Sequence, residues 1–226
     1  MTLVVFVRCQ DGCILASDRK ASSIIGNREE SKIKHNNAGW AIAAAGDDAS
    51  AIMALFSALD GNTVTPSNIK NLVVNTLGTY NRTSSIRVNC IVLTALDEGV
   101  TADRVETIEF GDVRAASENI TSNFECIGEA APVAVAQHYL KNCDYGQVAC
   151  DNAVPEVLAI LKQASKEGNA VGSQQDFGFD VVALRTHDCA QLIRVTDEWA
   201  VASIQFSEVT GERPHFDFHD YENGAV

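Results

Sequence analysis

The stretch Thr2-Leu3-Val4-Val5-Phe6-Val7-Arg8-Cys9-Gln10-Asp11-Gly12-Cys13-Ile14-Leu15-Ala16-Ser17-Asp18-Arg19 decides how this chain is read. Residues 2–9 are apolar and β-prone. Asp11-Gly12 has the composition of a tight hairpin turn, because glycine enters positive φ without steric cost. Residues 13–18 then return as a second strand ending in a carboxylate. A strand that begins one residue after the initiator Met1 places Thr2 at a chain end, with its own α-amino group once Met1 is removed. A hydroxyl nucleophile then carries a base on the same residue.

Working outward, residues 19–31 read as a polar loop. Residues 32–36 and 40–45 read as strands joined by Asn37-Ala38-Gly39, so the chain is expected to open with a β-meander of about four strands. Asp47 is the expected N-cap of a helix to about Leu59. Pro66 and Ser67 open a second helix to about Tyr80. Strands are expected at 86–96, 105–110 and 124–127. Two helices follow, at about 132–140 and 152–166, with Pro155 in the first turn of the latter. Strands at 177–185 and 191–195 flank Thr186-His187-Asp188, and residues 208–226 form a polar tail. Helices that arrive in pairs between blocks of strands do not suit a parallel sheet. They predict an α+β fold, a four-layer αββα sandwich of two stacked antiparallel sheets with helices on both outer faces. Residues 1–207 are read as one domain.

Composition narrows the function. The chain has 226 residues, a hydrophobic fraction of 46% and a net charge of −13. It has no basic tract with which to neutralise phosphates, which speaks against nucleic-acid binding. No run approaches the ~20 apolar residues of a membrane-spanning helix, and Arg8 with its polar successors interrupts any secretory signal. The seven cysteines lack CxxC spacing, so reduced, buried thiols in a cytoplasmic protein are expected. No cofactor is expected. His215, Asp217, His219 and Asp220 lie on a polar tail and read as solvated side chains rather than metal ligands.

The opening residues resemble the proteasome β-type subunit family, the N-terminal-threonine branch of the Ntn-hydrolase superfamily. The resemblance rests on Thr2 heading a strand, the Asp11-Gly12 hairpin, Ala16-Ser17-Asp18-Arg19, Lys32-Ile33, and Ala44-Ala45-Gly46 before a helix. Asp18 follows Thr2 by sixteen residues and Lys32 precedes Gly46 by fourteen, as in the family; the loop between Asp18 and Lys32 is two residues shorter. Weaker similarity continues through Phe124–Leu140 and Phe177–Leu184.

The resemblance implies an αββα Ntn-hydrolase sandwich and a threonine-type peptidase. Thr2, freed by Met1 removal, would attack the peptide bond of a peptide or unfolded protein to form an acyl-enzyme. It implies catalytic roles for Thr2, Asp18, Lys32 and Gly46. Lys32 would lower the pKa of the Thr2 amine, Asp18 would hold Lys32, and the Gly46 N–H would meet the oxyanion. Arg19, Glu129, Ser173 and Asp176 are further candidates, and Ser22 would line the substrate cleft. Two departures stand out. Glu129, in Gly128-Glu129-Ala130, replaces the serine that the family places near the threonine amine. Ser173 and Asp176 come in inverted order. The resemblance also implies a ring-forming homo- or hetero-oligomer. A peptide ligase or transpeptidase on the same fold, and a non-catalytic scaffold subunit, remain as alternatives.

Overall fold

The computed structural model describes residues 3–23, 26–36, 39–84, 87–110, 113–166, 178–185 and 191–195. Twelve strands and four α-helices occur among them. The strands are β1 (Leu3–Arg8), β2 (Gly12–Asp18), β3 (Lys20–Ser23), β4 (Gly26–Glu29), β5 (Ile33–Asn36), β6 (Trp40–Gly46), β7 (Val88–Leu96), β8 (Gly99–Phe110), β9 (Val113–Asn119), β10 (Phe124–Gly128), β11 (Phe179–Arg185) and β12 (Gln191–Val195). The helices are α1 (Ala49–Gly61), α2 (Ile69–Ser84), α3 (Ala130–Leu140) and α4 (Cys150–Ser165).

All pairings are antiparallel. One sheet has the order β10-β1-β2-β11-β12, a second β5-β6-β7-β8-β9, and among the described residues β3 pairs only with β4. The expected four-strand meander is therefore corrected. β1 and β2 belong to one sheet and β5 and β6 to the other, with the β3–β4 hairpin between them in sequence. The reason lies in the apolar pattern. Leu3, Val4, Val5, Phe6 and Val7 are all fully buried, so β1 has no solvent face and must be flanked and covered on every side. Distant strands supply that cover: β10 pairs along one edge of β1, and β11 along the far edge of β2.

The α+β four-layer αββα Ntn-hydrolase sandwich is also corrected. The described residues form a mixed α/β fold with two five-stranded antiparallel sheets, four helices, and a hairpin that belongs to neither sheet. Helix pairing along a sequence does not by itself fix how layers stack, and β3–β4 interrupts the path from one sheet to the other.

Three apolar clusters hold the elements together. Leu3, Val5, Ile14, Ala16, Phe179 and Val181 meet Leu140, Val154 and Leu158 of the second helix pair. The alternate residues Val4, Phe6, Leu15 and Val182 meet Ile33, Ala41, Ala43 and Ile91 of the other sheet. Ile42, Val92 and Trp40 meet Leu55, Ile69 and Leu77 of the first helix pair. This period-two partition sends successive residues of β1 and β2 to opposite faces. It leaves the β2 terminus, Ser17-Asp18, as the polar end of an otherwise apolar strand.

Several boundaries differ from expectation. Asp48, not Asp47, caps α1: its Oδ1 accepts from the backbone N–H of Ser50 at 2.8 Å and Ala51 at 3.2 Å. Asp47 instead accepts from Arg87 N–H at 3.2 Å. Pro155 falls in the second turn of α4, because the helix starts at Cys150. β9 was not foreseen, and β8 begins six residues early, at Gly99. β9 is an edge strand rich in Ala, Glu, Ser and Asn, residue types with weak strand preference, and long-range pairing with β8 supplies what propensity lacks.

Candidate active site

The site is built where β2 ends beside the start of β1. The β1–β2 ladder pairs Val4 with Ser17, so Asp18 comes level with Leu3. Asp18 is fully buried. Its Oδ1 accepts the backbone N–H of Leu3 at 2.9 Å, and its Oδ2 accepts Lys20 N–H at 3.1 Å and Lys32 Nζ at 2.7 Å. A buried carboxylate is tolerated only when its lone pairs are taken up, and here two backbone donors and an ammonium do so.

Lys32 stands immediately before β5 and is 7% exposed. Its carbonyl accepts Ala44 N–H at 3.1 Å, which extends the β5–β6 ladder by one bond and fixes the backbone that carries the ammonium. Burial pushes the Lys32 pKa below its ordinary 10.5. The carboxylates of Asp18, Glu30 and Asp180 oppose that shift.

Gly46 ends β6 opposite Val88. A Cβ there would lie 2.6 Å from the Arg87 carbonyl oxygen and 3.0 Å from Val88 Cγ2, so the position has no room for a side chain. Gly46 does not open the helix directly. Asp47 and the Asp48 cap intervene, and α1 begins at Ala49.

Glu129 lies between β10 and α3. Leu3 pairs with Gly128, so Glu129 follows the last paired position at the entry of β1. It occupies the N-cap of α3 without making a side-chain cap bond. Its Oε2 is buried and has no hydrogen-bond partner among the described residues.

Arg19 and Asp180 form a second ion pair, Nε to Oδ1 at 3.3 Å, with the Asp180 side chain fully buried. Asp180 was missed by sequence reasoning. The available signal was a lone carboxylate within the apolar run Phe179-Asp180-Val181-Val182-Ala183-Leu184, a setting that usually requires a cationic partner.

Thr2, Ser173 and Asp176 lie outside the described residues, as do His215, Asp217, His219 and Asp220. Ser22 is placed only as a backbone position of β3, paired with Asn27. The described residues thus bring Asp18, Lys32 and the Leu3 amide together, with Arg19 and Asp180 beside them. Among the described residues no group of three or more His, Cys, Asp or Glu could hold a metal ion, and no helix is long and apolar enough to cross a membrane. Cys9, Cys13, Cys90, Cys126 and Cys150 are buried free thiols, and Cys143 is half-buried.

No family model matches the chain, and no curated protein matches it. Solved structures do. The Gly-1 mutant of Anbu from Hyphomicrobium sp. strain MC1 superposes with a TM-score of 0.69 at 15% identity, over 96% of this chain and 100% of that one. Anbu from Yersinia bercovieri, described as an ancestral beta-subunit, gives a TM-score of 0.70 at 14% identity, over 95% and 99%. At this identity the likeness establishes a shared fold. Membership of the proteasome β-type family, expected from the opening motifs, is accordingly corrected to a fold-level likeness to Anbu. A few motif positions are a small part of the sequence and do not carry family membership by themselves.

Proposed function

We propose that the chain is an N-terminal-threonine peptidase of Anbu-like fold, acting on peptides or unfolded proteins. One observation carries the reading. The Asp18 carboxylate binds both Lys32 Nζ and the amide nitrogen of Leu3, the atom bonded to the carbonyl of Thr2. An ion pair is thereby fixed one residue from the proposed nucleophile.

The chemistry follows in order. Met1 is removed, leaving Thr2 with a free amine. The Thr2 hydroxyl attacks the substrate carbonyl while its proton passes to that amine, directly or through water. Lys32 disfavours the protonated amine and stabilises developing alkoxide charge. The N–H of Gly46 donates to the oxyanion. The peptide C–N bond breaks as the leaving amine takes up the proton, and water then hydrolyses the ester. Glu129 is assigned to the amine as a proton acceptor. Ser22 lines the substrate path, and Ser173 and Asp176 are retained as candidates to assist the amine. Residues 1–207 act as one domain in a cytoplasmic ring of like or related subunits.

The buried Oε2 of Glu129, without a hydrogen-bond partner among the described residues, favours a second reading on the same site. A carboxylate beside the acyl-enzyme could take the proton of an incoming amine, so that peptide ligation or transpeptidation replaces hydrolysis.

Intact-mass spectrometry tests the proposal. Met1 is expected to be absent, and an α′,β′-epoxyketone is expected to add one equivalent at Thr2. A retained Met1, or no adduct and no difference between the parent and Thr2→Ala, would overturn catalysis and leave a scaffold subunit. Light scattering tests the ring.

A further inference from the structure

The antiparallel pairing of β2 with β11 sets Ser17 opposite Asp180 and Asp18 opposite Phe179. Val182, two residues after Asp180, belongs to the cluster between the two sheets, and so does Leu15, two residues before Ser17. Period two places Ser17 and Asp180 on that same side, at the point where apolar packing gives way to polar groups. Both are fully buried. Arg19 reaches Asp180 with Nε at 3.3 Å. Its backbone is fixed at both polar groups: N–H donates to Gly178 O at 3.3 Å, and its carbonyl accepts Glu30 N–H at 2.8 Å. Arg19 therefore sits between Asp18 and Lys20, the residue whose N–H also binds Asp18. Two ion pairs, Asp18–Lys32 and Asp180–Arg19, share one short stretch of backbone.

We propose that Asp180 is a positioning residue for this site: paired with Arg19 across β2 and β11, it fixes the turn that presents Asp18 to Lys32. The inference rests on the peptidase reading for its kinetic consequence, but the ion-pair arrangement stands apart from it. Lys32 is buried, and burial disfavours its charged form. The groups that act on Lys32 are Asp18 from β2, Glu30 from the segment before β5, and Asp180 from β11. Asp18 is the foremost of them, through its charge and the 2.7 Å hydrogen bond, so the placement of Asp18 governs how well the buried ammonium is offset. Asp180 anchors Arg19, the residue that follows Asp18, and so holds that placement from β11.

The test is the pH dependence of Thr2 acylation by the epoxyketone in the full chain, for the parent and for Asp180→Asn. Loss of the Arg19–Asp180 pair is expected to loosen Asp18 from Lys32 and so to move the basic limb to lower pH by about one unit, which is about tenfold in rate at a fixed pH on that limb. Arg19→Lys keeps the charge and is expected to retain the parent limb. An Asp180→Asn limb that coincides with the parent's, in a folded variant, overturns the proposal. If Asp180→Asn does not fold, carbon-13 NMR titration of the unmodified protein decides. Asp180 ionised and Lys32 charged at neutral pH support the arrangement; a protonated Asp180 at neutral pH overturns it. A chain that never acylates would defeat the peptidase reading while the NMR titration still reports on Asp180.

Discussion

Lys32 Nζ lies 2.7 Å from Asp18 Oδ2, with Asp18 wholly out of solvent and Lys32 nearly so. Thirteen residues separate β2 from that lysine, and the pair closes this excursion back onto the β1–β2 ladder. An ion pair this deep is sensitive to the loss of one partner, because the other is left as an uncompensated buried charge.

Lys32→Met or Asp18→Asn alone should therefore destabilise the fold by about 3–5 kcal/mol. The double variant Asp18→Asn/Lys32→Met should recover much of that loss, since no unpaired charge remains, while Thr2 acylation stays abolished. Urea unfolding of the three variants and the parent forms the cycle, and simple additivity of the single losses would count against the pairing.

Lys32 also gives a pH signature. Its folded pKa lies below the ordinary 10.5, chiefly through burial. Between the folded value and 10.5 the unfolded chain binds more protons at this residue than the folded chain does. The contribution of Lys32 to stability thus grows as pH rises through that window. Acylation should change in the opposite sense, falling as Lys32 loses the proton that the chemistry uses. Unfolding midpoints measured from pH 7 to 11, parent against Lys32→Met, should show the parent gaining relative to the variant.

Much of this site was legible because its signal is local spacing. Asp18 and Lys32 are each ordinary charges at strand ends, and only their spacing from Thr2 and Gly46, read through the family resemblance, singled them out. Helix existence was legible for the same reason: the stripes Leu55–Leu59 and Ile69–Val73–Leu77 repeat at helical spacing. What could not be read depends on pairing between distant segments. That β1 and β2 would leave β5 and β6 for a different sheet follows from β10 and β11, more than a hundred residues on. Asp180 acquires its meaning only through the β2–β11 register. The cap of α1 fell on Asp48 rather than the expected Asp47, whose carboxylate accepts the N–H of Arg87, forty residues on.

Gly46 provides a steric prediction. Its missing Cβ would meet the Arg87 carbonyl at 2.6 Å, a backbone atom of the paired strand that cannot swing aside. Gly46→Ala should push β6 away from β7 at its last pair, costing about 1–3 kcal/mol of stability in the manner of an overpacked core. Because the displaced N–H is the proposed oxyanion donor, acylation should fall by about 10²-fold or more. Thermal melts and acylation rates measured together separate the two effects. An alanine variant that melts like the parent would show that the strands have slack at this pair.

The cysteines give a prediction that does not involve the site. Burial pushes the Cys13 thiol up to about 12, and raises Cys90, Cys126 and Cys150 as well. Contact with Cys9 is the largest contribution at Cys150. A thiol reacts as its thiolate, so both access and ionisation protect these residues. Cys143, half-buried in the turn after α3, has more access than any of them. Iodoacetamide at pH 8, quenched over a time course and mapped by peptide mass, should label Cys143 well before Cys9, Cys13, Cys90, Cys126 and Cys150. In urea the six should converge to similar rates. Early labelling of Cys90, which the α1–α2 side of the core encloses, would mean that this part of the fold opens far more readily than its packing implies.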